Sequence, residues 1–337
     1  MHTDEDKWRQ LRIESMKTTI VIPNYNGISY LEKCLLSLQK CGKDTFHIIV
    51  VDNGSTDGCV ELLKEKFAYV ESVFLPENVG FAPAVNIGLE NVKTEYALLL
   101  NNDIEVESDF VVQMETAIER HTDAFSVSSK MLQMHDPDKL DGAGDLYCAL
   151  GWAFALGKGK EQKNYYTKER KVFSACAGAA IYRMSVLREI GFFDENHFAY
   201  LEDVDLGYRA RIYGYANYYT PDAVCYHAGS AFSGSRYNEF KVNLSSRNSI
   251  YLILKNMPFL QIVLNLPFLL MGYFIKILFF VKKGMGKTYV KGLMKGFQLY
   301  FSKTGHSHKV AFRWSHFCNY VCIQMELWWN LVRRFIG

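Results

Sequence analysis

The stretch YALLLNNDIEV, residues 96–106, joins an apolar run to a group of polar side chains. Its apolar half, residues 96–100, predicts a buried strand. The strand runs directly into two amides and a carboxylate, Asn101, Asn102 and Asp103, where an ordinary turn would be expected. The flanking sequence has to explain what these three side chains hold.

Three further apolar runs lie upstream, and each leads into a helical pattern or a glycine-punctuated loop that feeds one. The runs are TTIVI at 18–22, HIIVVD at 47–52 and SVFLP at 72–76. After the first run, apolar residues recur at helical spacing at positions 31, 34, 35 and 38. This alternation predicts a parallel sheet with crossover helices, and the continuously apolar strands predict that helices cover both faces.

Polar side chains follow the ends of the predicted strands. In open α/β sheets, ligands bind at the carboxyl ends of the strands. The sequence places Asn24, Asp52, Asn78 and Asp103 at those ends, so one mouth collects polar groups from several strands. Asp52 is suited to accept hydrogen bonds from a base or a ribose, and the alternative is an Asx-turn with residues 55–57.

Composition favours a packed protein and gives no reason to expect a nucleic-acid partner. The chain has 337 residues, of which 49% are hydrophobic and 22% charged, and its net charge is only +2. The first ten residues, MHTDEDKWRQ, contain no apolar segment of a secretory signal. The eight cysteines form no C-x-x-C pair, so we expect reduced thiols in a cytosolic protein.

The second half of the sequence predicts less regular structure around the mouth. Residues 130–170 are rich in glycine and charge and predict loops over the mouth. The following segment predicts a small-residue strand, a short helix, a loop and then a helix that begins at Glu202 and Asp203. The run ANYYTPDAVCYH predicts one or two strands that end at His227.

The carboxylate at the end of the fourth strand is suited to a metal-bound phosphate. Mg²⁺ and Mn²⁺ take oxygen ligands, usually one or two carboxylates together with substrate phosphates. Asp103 would supply a carboxylate that Asn101 and Asn102 orient, and His227 would add a nitrogen ligand that favours Mn²⁺. The alternatives are a capped turn for Asp103 and an ordinary strand-end histidine for His227.

The segment LEDVDLGYRAR places three carboxylates within four positions. Asp205 and Arg209 are four residues apart, which predicts an ion pair on the helix surface. Glu202 and Asp203 lie at the helix start, where the dipole favours an ionised carboxylate. An ionised Asp203 at the mouth would serve as a general base, and the alternative is that it caps the helix.

Taken in order, these motifs resemble glycosyltransferase family 2, the inverting GT-A type. Among its members, the sequence looks most like the bacterial branch that includes rhamnosyltransferases of polysaccharide assembly. The resemblance covers residues 17–255 and ends at RNSIYLILKNMP. The motifs are VIPNYNG, VDNGSTDG, PENVGFAPAVNIGL, LLLNNDIEV, CAGAAIYRMSVLREIGFFDE, FAYLEDVDLGYRARIYGY and PDAVCYHAGS.

The resemblance implies a GT-A fold, an α/β architecture with a Rossmann-like, mostly parallel sheet flanked by helices. Asp203, in the E-D motif of the family, would be the catalytic base. Asp103 stands in the D-x-D-like element and would hold Mn²⁺ or Mg²⁺ on the donor diphosphate, with His227 as an extra ligand. The residues implied to contact the nucleotide-sugar donor are Pro23, Tyr25, Asp52, Asn78, Gly80, Asn86, Asn101, Asn102 and Asp103. Those implied to lie near the sugar or acceptor are Gly142, Gly144 and Trp152.

The resemblance and the composition together divide the chain into two regions. Residues 17–245 would form the catalytic domain, with the nucleotide-sugar part in 17–106 and the acceptor part in 107–245. Residues 246–337 would form an apolar, aromatic-rich helical extension that associates with a membrane.

The apolar segment 259–281 is long enough to span a bilayer as a helix. Its polar and proline residues argue against a clean span: Gln261, Asn265, Pro267 and Lys276. An interfacial or re-entrant hairpin, followed by basic residues that contact lipid headgroups, fits better and would attach the protein to the cytoplasmic face. A true span and a buried core or dimer interface are the alternatives, so a homo-oligomer remains open.

The implied function is an inverting, metal-dependent transfer of one sugar, for example L-rhamnose from dTDP-rhamnose, to a lipid-linked or growing saccharide. Val310 replaces the glutamine of the Q-x-x-R-W motif of processive members, which favours a single addition. One alternative is a membrane-docked scaffold subunit with a decayed site, which the doubled asparagine at 101–102 keeps open. A sugar-phosphate nucleotidyltransferase would need a basic phosphate loop, and IPNYNG lacks basic residues.

Overall fold

The computed structural model of the protein describes residue 13 and residues 15–42, 45–229 and 237–336. The strands are β1 (Thr18–Asn24), β2 (His47–Asp52), β3 (Glu71–Phe74), β4 (Tyr96–Leu100), β5 (Ile104–Val106), β6 (Ala124–Gln133), β7 (Asp136–Gly142), β8 (Asp145–Cys148), β9 (Trp152–Ala155), β10 (Arg170–Val172), β11 (Ala179–Arg183) and β12 (Ala216–His227). The helices are α1 (Ile28–Gln39), α2 (Cys59–Glu65), α3 (Phe81–Glu90), α4 (Phe110–Glu119), α5 (Met184–Ile190), α6 (Glu202–Ile212), α7 (Glu239–Asn256), α8 (Phe259–Lys282), α9 (Gly286–Phe301), α10 (Lys303–Ser307) and α11 (Phe317–Ile336).

The central sheet is mixed, with a parallel half built from the four strands that the sequence predicts. Its order is β10-β12-β6-β11-β4-β1-β2-β3, with β5 paired to β12 and β7 paired to β6. Strands β4, β1, β2 and β3 are parallel neighbours, and β11 is antiparallel to both β4 and β6. The predicted α/β fold with a mostly parallel sheet is therefore confirmed.

Helices cover both faces of this sheet, as the apolar strands predict. Ile20 and Ile22 of β1 pack on one face among side chains of α1, α2 and α4. Val21, between them, packs on the other face among side chains of α3, α5 and α6. Successive side chains of a strand point to opposite faces, so a strand buried on both sides has to be apolar throughout.

The prediction of loops over residues 130–170 is wrong for much of that segment. The end of β6, all of β7 and the hairpin of β8 and β9 lie there. Glycines interrupt each apolar run after a few residues, so the periodicity of these short strands is too brief to recognise. The hairpin matters because it forms part of the wall of the cleft described below.

The prediction of a surface ion pair between Asp205 and Arg209 is also wrong, because both side chains are buried. Arg209 Nε lies 3.1 Å from Asp205 Oδ2, and Lys255 Nζ of α7 lies 2.8 Å from the same oxygen. Lys255 also contacts Asp194 Oδ2 at 2.7 Å. Removing one member of such a network would leave an uncompensated buried charge, at a cost of about 3–5 kcal/mol.

The C-terminal helices pack against the sheet-containing part of the molecule through a separate apolar cluster. Leu252 of α7, Leu269 of α8 and Leu327 of α11 contact Leu146 and Tyr147 of the β8–β9 hairpin within this cluster. Helix α8 is the one described helix long and apolar enough to cross a membrane, with a mean hydropathy of 2.0 and 17% of its apolar window buried. The predicted division at residue 245 falls inside α7 and stays a prediction.

Candidate active site

A cleft of about 900 Å³ opens at the carboxyl ends of the parallel strands. Ligand pockets commonly have volumes of about 300–1,000 Å³. Loops after β1 to β4 form one wall, which we call the strand-end wall. The segment 198–203 and the first turns of α7 face it, and we call them the helix wall. Predicted site residues that line the cleft are Pro23, Tyr25, Asn78, Gly80, Asn101, Asn102, Asp103 and Asp203.

The doubled asparagine that follows β4 joins two strand ends. Asn102 Nδ2 donates to Asn24 Oδ1 at 2.7 Å, and Asn24 Nδ2 donates to Asp52 Oδ1 at 2.8 Å. Asp52 Oδ2 in turn accepts from the backbone amide of Ser55 at 3.0 Å. Asp52 is buried, and its carboxylate is held by these hydrogen bonds in the geometry of an Asx-turn. The neighbouring residue, Asn53, lines the cleft. Asn102 therefore orients Asn24 instead of the carboxylate of Asp103.

A second set of amide contacts shapes the loop between β3 and α3. Asn53 Nδ2 donates to Asn78 Oδ1 at 3.1 Å, and Asn53 Oδ1 accepts from the amide of Val79 at 2.9 Å. Gly80 has a φ of +101°, and a Cβ there would lie 2.6 Å from the ring of Phe198. Only glycine fits at this position, because both the backbone conformation and the close approach of the ring exclude a side chain.

Asp103 and His227 come together as the sequence predicts. His227 Nε2 lies 3.4 Å from Asp103 Oδ2, and His227 Nδ1 lies 2.8 Å from Asp141 Oδ2. Burial alone would lower the pKa of His227, but hydrogen bonds to the two carboxylates raise it to about 9. Asp141 is absent from the predicted set, although a carboxylate behind a metal-binding histidine is a common arrangement.

Asp203 lies on the helix wall close to a carboxylate that the sequence analysis missed. Ligand atoms of Asp203, Asp145 and Cys176 all lie within 4.8 Å of one another. Burial raises the pKa of Asp203, although amide hydrogen bonds from Val204 and Ala177 lower it. This direction is opposite to the one expected from the helix dipole. Burial and then the charge of Asp203 raise the pKa of Asp145 to about 8, so the two carboxylates resist being ionised together.

The backbone before Asp203 is held in an unusual conformation. Phe198, Tyr200 and Leu201 all have positive φ angles, of 61°, 73° and 67°. Such conformations cost about 1–3 kcal/mol each and persist only where the surroundings fix them. Asn248 Nδ2 of α7 fixes this segment, since it lies within 2.9 Å of the carbonyl oxygens of His197, Ala199 and Tyr200.

Other predicted residues, contrary to the sequence-based expectation, lie outside the cleft. Asn86 is buried and donates to the carbonyl of Phe193 at 2.9 Å, so it ties α3 to the loop after α5. Gly142 and Gly144 also do not line the cleft, and Trp152 Nε1 donates to the carbonyl of Gly272 in α8 at 3.3 Å. Ala153 and Phe154, the residues after Trp152, line the cleft instead.

The functional candidates that sequence reasoning missed are Asp141, Asp145, Asn53, Cys176 and Lys241. Asn53 adjoins a predicted residue and was recoverable from the motif VDNGSTDG. The two aspartates lie in the segment interpreted as loops, where the alternation that marks β7 and β8 is hidden. Asp141 and Asp145 can be recognised as site residues only once the structure shows that the turn between β7 and β8 brings them to the carboxyl ends of β4 and β12.

The fold, with polar residues at the strand ends and carboxylates on both sides of one cleft, is that of the GT-A class of glycosyltransferases. The model of the family described as Glycosyl transferase family 2 matches residues 19–191. The chain therefore belongs to glycosyltransferase family 2, which confirms the family that the motif order predicts.

The relatives include the glycosyltransferase GlyA of Streptococcus pneumoniae, which is 36% identical over 101 residues. That match covers 28% of this chain and 14% of GlyA. The chain thus spans only a small part of some relatives. The N-acetylglucosaminyl-diphospho-decaprenol L-rhamnosyltransferase of Mycobacterium tuberculosis is 24% identical over 236 residues, 62% of this chain and 75% of that protein. A structure of GalNAc-T7 with UDP, GalNAc and Mn²⁺ has a TM-score of 0.56 at 15% identity, over 71% of this chain and 47% of that one.

Proposed function

We propose that the protein is an inverting, metal-dependent glycosyltransferase that moves one sugar from a nucleotide donor to a lipid-linked or growing saccharide. The observation that carries the proposal is the position of Asp103 and Asp203 in one cleft of about 900 Å³. In-line displacement needs a donor diphosphate and an acceptor hydroxyl to meet in one space, with a group that serves each. The strand-end wall would hold the donor, and the helix wall would activate the acceptor.

The residues around Asp103 fit a divalent cation. His227 presents Nε2 towards Asp103 while its Nδ1 contacts Asp141, the arrangement that fixes the tautomer of a metal-binding histidine. Asp103 and His227 would hold Mn²⁺ or Mg²⁺, and a bound cation would offset the negative charge that develops on the leaving diphosphate. The presence of Mn²⁺ with UDP in the GalNAc-T7 structure supports the general requirement for a metal.

Asp203 would act as the general base. The acceptor oxygen forms a bond to the anomeric carbon, its proton passes to the carboxylate of Asp203, and the bond from that carbon to the donor phosphate oxygen breaks. The nucleoside diphosphate leaves with that electron pair, so a single displacement inverts the anomeric centre. A pKa raised by burial brings Asp203 closer to the operating pH, where a general base is most effective.

We infer that the donor is dTDP-rhamnose and the transferred sugar is L-rhamnose, because the chain resembles the mycobacterial rhamnosyltransferase. The decayed-scaffold alternative loses its main argument in the contacts of Asn102. Its amide joins the ends of β1 and β4 at 2.7 Å, so asparagine at this position has a structural use. The doubled asparagine is therefore not in itself a sign of a lost site.

The test of the proposed function is thermal stabilisation of the purified protein by dTDP, UDP, GDP and CMP, each with and without Mn²⁺. A Mn²⁺-dependent shift with dTDP is expected. The same shift should be lost in Asp103→Ala and kept in Asp138→Ala, which removes an exposed carboxylate elsewhere. A shift with UDP alone would remove rhamnose from the proposal, and no shift with any nucleotide would contradict a nucleotide-sugar donor.

We also propose that the C-terminal helices attach the protein to the cytoplasmic face of a membrane. Large apolar side chains are exposed along α8, α9 and α11. Three lysines lie where α8 gives way to α9: Lys282 ends α8, Lys283 follows it and Lys287 lies in the first turn of α9. An apolar face next to basic residues favours anionic lipid. Flotation with anionic vesicles should fail for Leu270→Asp/Phe274→Asp and succeed for Val112→Asp, an exposed apolar position on α4. Equal flotation of both variants would contradict attachment through α8.

A further inference from the structure

A second cavity, of about 350 Å³, lies between the β8–β9 hairpin, the loop that follows it and the end of α11. We call it the basic pocket, because five of its side chains are cationic: Lys158, Lys160, Arg170, Arg333 and Arg334. Among the described residues, no carboxylate lines it. The proposed transfer chemistry does not use any of these residues.

Two arginines of the basic pocket, Arg170 and Arg333, are only weakly paired by the described residues. Lys158 Nζ pairs with Asp141 at 2.8 Å. Arg170 stacks on the ring of Tyr166 at 4.7 Å, but its buried Nε has no hydrogen-bond partner in the part of the chain that the structure describes. Among the described residues, the hydrogen bonding of Arg333 consists of a long contact of 3.4 Å between Nη1 and Asn330 Oδ1. A buried guanidinium nitrogen without an acceptor carries a desolvation cost that a bound anion would remove.

Two of these guanidinium groups also repel each other. Burial lowers the pKa of Arg333, and the positive charge of Arg170 lowers it further, although Glu326 acts in the opposite direction. Glu326 is itself engaged in an ion pair with Arg211. An anion between Arg170 and Arg333 would turn this repulsion into attraction. Arginine forks match the oxygens of phosphate, often in a bidentate manner, which makes phosphate the favoured anion.

The position of the basic pocket connects the catalytic cleft with the apolar helices. Phe154 and Ala155 of β9 line both cavities, so a single strand separates them. On the opposite side, Trp329 of α11 lines the pocket and is 60% exposed, and Phe335 in the same helix is 70% exposed. A molecule bound here would have its anionic group between a saccharide in the cleft and an apolar chain against α11.

We propose that the basic pocket binds the phosphate group of the acceptor, and that the acceptor is therefore a saccharide carried on a phosphate or diphosphate ester. This inference rests on the proposed function and adds the acceptor class to it. The phosphate belongs either to a lipid carrier or to a water-soluble polymer, and both present the same oxygens. The exposed Trp329 in the lining of the pocket favours the lipid carrier.

The test measures binding of inorganic pyrophosphate, farnesyl diphosphate and farnesol to the full chain in nonionic detergent with EDTA, by calorimetry. EDTA suppresses the metal-dependent donor site, so the signal reports the basic pocket. We expect both diphosphates to bind, and Arg333→Gln/Arg334→Gln to weaken that binding at least about tenfold, as loss of charge-assisted hydrogen bonds predicts. The matched control is Lys163→Gln/Lys168→Gln, which removes two exposed charges from the neighbouring loop and should change nothing.

The outcomes separate the sources of phosphate and separate this inference from the proposed function. Farnesyl diphosphate binding more tightly than pyrophosphate supports the lipid carrier, and equal binding supports a soluble phosphate ester. No diphosphate binding, or equal losses in both double variants, would overturn the inference. The exposed single variant Arg334→Gln repeats the test if the double variant melts at a lower temperature. If the protein binds no nucleotide but Arg333→Gln/Arg334→Gln still weakens diphosphate binding, the proposed function is overturned and the basic pocket is not.

Discussion

The two walls of the cleft are built by different means. The strand-end wall consists of residues that follow parallel strands, and amides such as Asn24, Asn53 and Asn102 join one strand end to the next. The helix wall contains a segment with three positive φ angles, and Asn248, further along α7, holds that segment from behind. The sheet thus fixes the first wall directly, whereas the strained part of the second wall depends on contacts from α7.

Because the two walls are built differently, substitutions in each wall should impair a different step, donor binding or transfer. Substitution of Asp203 should impair transfer and leave nucleotide binding intact, whereas changes that move Phe198 also reach the strand-end wall, because the backbone amide of Phe81 donates to the Phe198 carbonyl at 2.7 Å.

Asp203→Asn should reduce sugar transfer by about 10²–10⁴-fold, the usual contribution of a general base. Donor binding should be unchanged, because the substitution leaves the strand-end wall intact. The measurement is nucleoside diphosphate release in the presence of acceptor, together with the nucleotide Kd. Full transfer activity in this variant would refute the role of Asp203, and Asp138→Asn controls for the loss of an acidic residue on the surface.

Asn248→Ala should lower kcat about tenfold or more while the nucleotide Kd changes much less. The substitution removes an amide that contacts three carbonyl oxygens, and misplacement of a catalytic group by about 1 Å can cost up to 10²-fold. We expect a loss of unfolding free energy of about 1–3 kcal/mol as well. Asn243→Ala, in the same helix, is the matched control. A parallel fall in kcat and in nucleotide affinity would indicate general damage and contradict a positioning role.

Glu202→Gln should flatten the pH dependence of stability. Burial and then the charge of Asp203 raise the pKa of Glu202 to about 8, so the folded chain holds this proton more tightly than the unfolded chain does. The stability that this proton provides is complete at low pH and is lost as pH rises towards 8. We expect the melting temperature of the variant, relative to the wild type, to rise by about 2–4 °C between pH 5 and pH 8. Glu90→Gln, at an exposed site, should show no such change. If the melting-temperature difference between Glu202→Gln and the wild type is the same at pH 5 and pH 8, Glu202 does not hold a buried proton.

The sequence predicts the strand-end wall well and the helix wall only in part. Apolar strands and the residues after them are adjacent in the chain, so Asn78 and Asp103 were found from local pattern alone. The partnership of Asp203 with Asp145 joins residues 58 positions apart across a glycine-rich hairpin, and nothing local marks it. Sequence pattern also does not reveal burial, which is why the pair of Asp205 and Arg209 was expected on the surface.

The passage of α7 through the predicted boundary at residue 245 has a consequence for how tail deletions are interpreted. A chain that ends at that boundary keeps Asp203 but loses two side chains that support it. Asn248 holds the backbone that precedes Asp203, and Lys255 neutralises the buried Asp205. Such a truncated protein would be inactive even with a soluble acceptor. Inactivity after removal of the tail is therefore no measure of a need for lipid, and modular exchange of tails between family members has to begin after Asn256, where the helix ends.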